Sequence, residues 1–152
     1  MRFVKLAVLF VLAAILPMAV AQGPNLTVIQ YNSNINPCQS TSIVKSSVVV
    51  AQSTATTTAL VAAVAGKTTY VCGFYATFSG TTPALTFKTG TQTTTACDTA
   101  TASLTGTFLP TSGSYIGMGG PGTLFQSIAS GQLCVTSVAS AAVSGVLVYV
   151  QM

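Results

Sequence analysis

Four cysteines carry the most evident chemistry in this chain: Cys38, Cys72, Cys97 and Cys134, separated by 34, 25 and 37 positions. An even set without a close pair is the pattern of a disulfide framework laid down in an oxidising compartment. A zinc site would need ligands a few residues apart, and the chain has no histidine to complete one. Two bridges are therefore expected. Three connectivities are open, and the working expectation is Cys72–Cys97 with Cys38–Cys134. Each bridge closes a loop of tens of residues and so removes several kcal/mol of entropy from the unfolded chain.

Side chains that move protons are almost missing. There is no His and no Glu, and Asp98 is the sole side-chain carboxylate. Glycoside hydrolysis in its usual form needs two carboxylates, and a Ser–His–Asp triad needs an imidazole. A catalytic divalent cation wants several carboxylates or imidazoles. Asp98 follows Cys97 in a Thr-rich stretch, where an aspartate commonly forms a turn. Lys45, Lys67 and Lys88 could in principle activate a serine, but each lies beside polar residues and no serine is singled out. The run Gly117-Met118-Gly119-Gly120-Pro121-Gly122 lacks the Lys-Ser/Thr of a phosphate loop, and Pro121 lacks an N–H, so it reads as an inter-strand loop. No catalytic residue, cofactor or metal is expected, and the chain is not expected to be an enzyme.

Binding is the better prospect. Tyr31, Tyr70, Tyr75 and Tyr115 could stack on sugar faces, because a phenol offers a flat apolar body with a polar tip. Simple alternation would place Tyr70 and Tyr75 on opposite faces of one strand. Thr93, Thr95, Thr99, Thr101, Thr105 and Thr107 recur in pairs at a six-residue interval, which on a flat strand face would make a hydroxyl lattice suited to ice or crystal surfaces. Asn25-Leu26-Thr27 is an N-glycosylation sequon.

The elements that must position these residues begin with an address. Arg2 and Lys5 precede an apolar run over residues 6–16, which Pro17 ends, and Ala19-Val20-Ala21 is a small-x-small cleavage pattern. Residues 1–21 are read as a signal peptide, with the mature chain starting at Gln22. The run is shorter than the roughly 20 residues a spanning helix needs, so no membrane span is expected after cleavage. Residues 22–42 form an irregular leader, and residues 43–152 one β-sandwich domain.

Beyond the signal, three lysines face one aspartate, a net charge of +2. Three separated lysines make no basic stripe, and nucleic acid is not an expected partner. Half of all residues are hydrophobic, only 4% are charged, and mean hydropathy is +0.70. Such a chain can bury enough to fold, while its surface lacks the charge that normally keeps soluble proteins apart. Assembly is implied.

Strands are expected over residues 43–51, 57–64, 69–78, 84–88, 103–109, 115–118, 123–128, 132–138 and 143–151. Residues 56–65 also carry helix-tolerant alanines, but their β-branched neighbours favour a strand. In the 69–78 segment, Tyr70, Cys72, Phe74, Ala76 and Phe78 are expected to share one face. Turns every 8 to 14 residues and the wealth of Thr and Val predict an all-β, single-domain, jelly-roll-like β-sandwich of eight or nine antiparallel strands.

Several segments carry a resemblance: Lys45-Ser46-Ser47-Val48-Val49-Val50, Gly66-Lys67-Thr68-Thr69-Tyr70-Val71-Cys72-Gly73-Phe74, Phe87-Lys88-Thr89-Gly90-Thr91, Leu104-Thr105-Gly106 and Gly145-Val146-Leu147-Val148-Tyr149-Val150-Gln151. Together they resemble short exported or phage-associated β-sandwich proteins of environmental bacteria and their viruses, which have no assigned activity. The resemblance implies a β-sandwich at a virion or cell surface and transfers no functional residue. The expected function is that of a secreted, non-catalytic structural or interaction protein: a cell-surface, filament or virion-surface subunit, extracellular or periplasmic. Its partner would be another copy, an extracellular surface or a glycan. The alternatives are a carbohydrate-binding module and an ice- or surface-binding Thr-rich β protein.

Overall fold

A computed structural model describes residues 36–138 and 141–152. Residues 1–21, expected to be a signal peptide, lie outside the described residues, as do Asn25, Tyr31 and most of the expected leader. Among the described residues there is no α-helix, and nine strands form: β1 (Ser46–Gln52), β2 (Thr57–Val61), β3 (Thr69–Gly80), β4 (Leu85–Thr91), β5 (Thr99–Ser103), β6 (Tyr115–Gly119), β7 (Phe125–Gln126), β8 (Gln132–Ser137) and β9 (Ala141–Gln151). One sheet runs β1-β9-β3-β6, with β7 also pairing β3, and the other runs β2-β8-β4-β5. Every pairing is antiparallel.

The pairings nest. β4 pairs β5, β3 pairs β6, β2 pairs β8 and β1 pairs β9, as in one long hairpin rolled into two facing sheets. This is the jelly-roll form of the sandwich. It removes the inner faces of both sheets from water at once.

The core lies between the sheets. Phe74, Ala76 and Phe78 of β3 and Val143 and Leu147 of β9 face Leu85 and Phe87 of β4 and Leu133 and Val135 of β8. Phe87 is the hub: its ring meets Phe74 edge-on at 4.9 Å, Phe125 at 5.0 Å and Phe108 at 6.4 Å. Edge-to-face aromatic contacts add to the area each ring buries.

A β-bulge in β3 revises the simple alternation. The register with β9 passes from Val71↔Tyr149 to Gly73↔Val148, leaving Cys72 as the extra residue. Phe74, Ala76 and Phe78 face the core as expected, but so does Val71. Tyr70 and Cys72 turn instead to the outside of the sheet, where they pack with Cys38, Ile43, Val148 and Val150. Tyr70 and Tyr75 therefore share the outer face rather than lying on opposite faces.

The bulge also decides the bridges. The structure pairs Cys38 with Cys72 and Cys97 with Cys134, which corrects the expected Cys72–Cys97 and Cys38–Cys134. Cys134 sits between the inward-facing Leu133 and Val135, so it points out of the opposite sheet, and the loop holding Cys97 folds over it. Cys72 and Cys97 thus lie on opposite outsides of the sandwich, with the whole core between them. Each bridge fastens an irregular segment to the outside of one sheet. Loops of 34 and 37 residues are closed this way, for about 3–4 kcal/mol each in the chain-entropy account.

Other boundaries also move. The strand expected at 103–109 gives way to β5 at Thr99–Ser103. Residues 104–108 still run beside β4, through Leu104 N–H to the Phe87 carbonyl and a bridge between Leu85 and Phe108. There the Thr105 hydroxyl accepts the Phe87 N–H, replacing a ladder bond. β2 stops at Val61, β7 keeps two residues of the expected 123–128, and Gly117 and Gly119 belong to β6 rather than to a loop.

Gly145 of β9 pairs with Ala76 of β3 and has no room for a side chain. A Cβ there would collide with the Tyr75 carbonyl oxygen and lie 2.7 Å from the Ala76 Cα. Backbone stands on that side, so nothing can swing away. Gly145→Ala is expected to lower stability by about 1–3 kcal/mol, as overpacking does. Phe87→Ala should cost about 3–5 kcal/mol, since it empties the aromatic hub. Thermal and denaturant unfolding with intact disulfides measures both.

Candidate functional site

The outer face of the β1-β9-β3-β6 sheet is where this chain exposes apolar side chains in a row. The register places Val49 of β1 opposite Val146 of β9, Val146 opposite Tyr75 of β3, and Tyr75 opposite Gly117 of β6. Neighbouring strands stand about 4.8 Å apart, so this row crosses roughly 14 Å of the sheet. Exposure is 66% at Val49, 41% at Val146 and 52% at Tyr75. These side chains could have been polar at no cost to the core, and their contiguity makes this face the candidate contact surface.

Tyr115 joins the row from β6. Its ring is 71% exposed and lies 6.1 Å from that of Tyr75 with 32° between the planes. A Cβ at Gly117 would sit 3.6 Å from Cδ2 of Tyr75, so the Tyr75 ring leans over a position that carries no side chain. The result is a shallow platform of two phenols. Thr77 and Ser144 border it, with the Thr77 hydroxyl donating to the Ser144 carbonyl at 3.1 Å. No Lys, Arg, Asp or Glu occurs in β1, β3, β6, β7 or β9. Lys45 lies just before β1 with its Nζ donating to the Ser40 carbonyl at 3.1 Å.

Of the four tyrosines expected to stack on sugars, the structure brings two together. Tyr75 and Tyr115 form the platform, Tyr70 is half-buried beside the Cys38–Cys72 bridge, and Tyr31 lies outside the described residues. Val49 and Val146 were absent from the expected set. Their signal was present in β9, where Val146, Val148 and Val150 alternate with Leu147 and Tyr149, making both faces apolar. A two-sided apolar strand in an antiparallel sheet means that both faces are covered or that one is offered to a partner.

The Thr-rich stretch is organised differently. The Asp98 carboxylate accepts the N–H groups of Thr93, Thr94 and Thr95 at 2.7–2.8 Å, the Thr93 hydroxyl at 2.9 Å and the Thr99 hydroxyl at 3.3 Å. Asp98 is thus the anchor of a loop. Thr105 serves the Phe87 N–H, and the Thr86 and Thr107 hydroxyls bond each other at 3.0 Å. The six threonines therefore do not make one flat lattice of free hydroxyls. Beneath the loop the buried Gln132 amide accepts the Cys97 N–H at 3.1 Å and donates to Gln92 at 2.8 Å. Among the described residues, no helix is long and apolar enough to cross a membrane.

Comparison with known proteins adds little to this geometry. No protein-family model matches the chain, and no curated protein matches it. Among solved structures, the chain is similar to one in the structure of infectious bursal disease virus, Gx strain, at 15% identity and a TM-score of 0.33. The match covers 72% of this chain and 31% of that one.

Three backbone donors hold the Asp98 carboxyl far below the usual carboxylate range, with the Thr93 hydroxyl adding to them. A depressed folded-state pKa contributes stability that is fully present above the ordinary aspartate value and lost as pH falls towards the folded one. The loop is therefore expected to stay closed through pH 4, about the ordinary value, and to open only in stronger acid. Asp98→Asn should remove this acid dependence and loosen residues 92–98 at neutral pH, read by amide exchange against pH. Cys97 and Cys134 are 4% and 0% exposed, Cys38 and Cys72 7% and 8%. Limited reduction with thiol labelling should open Cys38–Cys72 first.

Proposed function

We propose that this chain is a non-catalytic structural or interaction protein that works outside the cytoplasm, as a subunit of a cell surface, filament or virion surface. The observation that carries the reading is the uncharged apolar row Val49–Val146–Tyr75 with Tyr115 beside it, on an otherwise well-packed sandwich. The two disulfides fit an oxidising compartment. Scarcity of charge supports assembly, since few like charges oppose the approach of neighbours. Contact through such a face is driven by apolar burial and is insensitive to salt.

The test is a single substitution in the middle of the row. Val146→Lys adds a cation to an exposed position and leaves the core untouched. Light scattering and electron microscopy of the mature protein are expected to show assembly or surface attachment that persists at high salt and is lost in Val146→Lys. A variant that assembles like the parent would remove the face from the account.

The Tyr75–Tyr115 platform favours a second reading, a carbohydrate-binding module for neutral saccharides. Two exposed phenols 6.1 Å apart, bordered by hydroxyls and glycine, offer ring faces and hydrogen-bonding tips without charge. Affinity electrophoresis through neutral polysaccharides tests it. Retardation of the parent that falls about tenfold in Tyr75→Ala, in line with the worth of an aromatic contact, supports the module, and migration unaffected by any polysaccharide sinks it.

A further inference from the structure

The free edge of β1 is the least protected backbone in the described fold. Among the described residues β1 pairs with β9 alone, in an unbroken register from Ser46↔Tyr149 to Gln52↔Val143. The other edges are blunted. The pairing of β2 is interrupted between Ala59 and Val61, that of β5 between Thr89 and Thr91, and β6 is five residues long with glycines at 117 and 119. Natural sheets guard an edge with charge, proline, a bulge or a short length. β1, Ser-Ser-Val-Val-Val-Ala-Gln, has seven residues and none of these devices.

We propose that β1 is the site at which a second copy of this chain adds, β1 to β1 and antiparallel, about a two-fold axis through Val49. Val49 is the midpoint of Ser46–Gln52, so the axis sets every residue of the strand against a residue of its twin. Val49 meets Val49, Val48 meets Val50, Ser47 meets Ala51, and Ser46 meets Gln52. Each of these pairs lies on one face of the sheet, as antiparallel pairing requires. β-branched residues oppose β-branched residues at the centre, and small residues flank them. No cation meets its twin, because Lys45 falls opposite Ser53. The interface is self-complementary, which is what a closed two-fold dimer needs. Pairing joins the two sheets into one and brings the exposed rows of both copies, each beginning at Val49, onto a single continuous face. The proposal rests on the reading of the chain as an assembling subunit and names the contact that begins the assembly.

Charge pairing across the axis tests it on the full mature chain. Ser47 and Ala51 are exposed, so substitution there spares the core. In Ser47→Lys/Ala51→Lys two like-charged pairs face each other, and sedimentation velocity is expected to show a dimer weakened about tenfold. In Ser47→Lys/Ala51→Asp each lysine faces an aspartate of the twin, and the dimer should return to within about threefold of the parent. Val146→Lys leaves this edge intact, so the dimer should persist even where higher assembly is lost. A chain that stays monomeric at all concentrations, or equal weakening in both charge variants, overturns the edge while the reading of the outer face stands. So does a monomer whose β1 amides are protected from exchange, because the edge would then be covered by the chain's own leader. A dimer lost in Val146→Lys and kept in both charge variants also overturns it, and assigns association to the face.

Discussion

Packing of the two sheets around Phe87 is the constraint on which the other features of the molecule depend. With its ring wedged between Phe74, Phe108 and Phe125, β4 can approach β3 only with the inner faces of both sheets apolar and closely fitted. Once the inner faces are fixed, every alternate residue is fixed outward, and the chain must do something with its outer faces. It treats the two differently. Outside β8 and β4, the Cys97 loop folds down and buries Cys134. Outside β9 and β3, one end is covered through Cys38 and Cys72, and among the described residues nothing is packed over the remainder, from Val49 to Tyr115.

The β3 bulge links these events. By inserting Cys72 as an extra residue, it lets Val71 and Phe74 both reach the core and sends Tyr70 and Cys72 outward. Without it, Tyr70 and Cys72 would sit on the inner face with Phe74, and Cys38 could not be bridged from outside. The outward cysteine then takes the one free partner on its own side of the sandwich. A local irregularity of one residue thus sets a long-range covalent connection.

The fold class and most strands were legible because period-two alternation and turn residues act locally. In β3, Phe74, Ala76 and Phe78 announce an inward face unaided. The bridge connectivity was not legible, because it depends on which sheet each strand joins, and the one-residue shift at Cys72 reverses any inference from alternation. The end of β5 departs from the expectation for a related reason: Thr105 satisfies the Phe87 N–H with its side chain, so residues 104–108 follow β4 with one bridge, Leu85 to Phe108, instead of a continuous ladder. Of the tyrosines, only the topology could show that Tyr75 and Tyr115, forty positions apart, become neighbours across β3 and β6.

The near absence of charge takes on a specific meaning once the strands are placed. Asp98 is occupied by a loop and Lys45 by the Ser40 carbonyl, while the strands of the open sheet carry no charge at all. Charged gatekeepers on such strands would protect a monomer against edge pairing and sticking of faces, and natural sheets routinely carry them. A sandwich with a well-satisfied interior and no buried side-chain polar atom left without a partner among the described residues is not a poorly made protein that merely tolerates exposed valines. Among the described residues its interior is fully satisfied, while its outer sheet exposes Val49, Val146 and Tyr75 without a charge beside them on the strands.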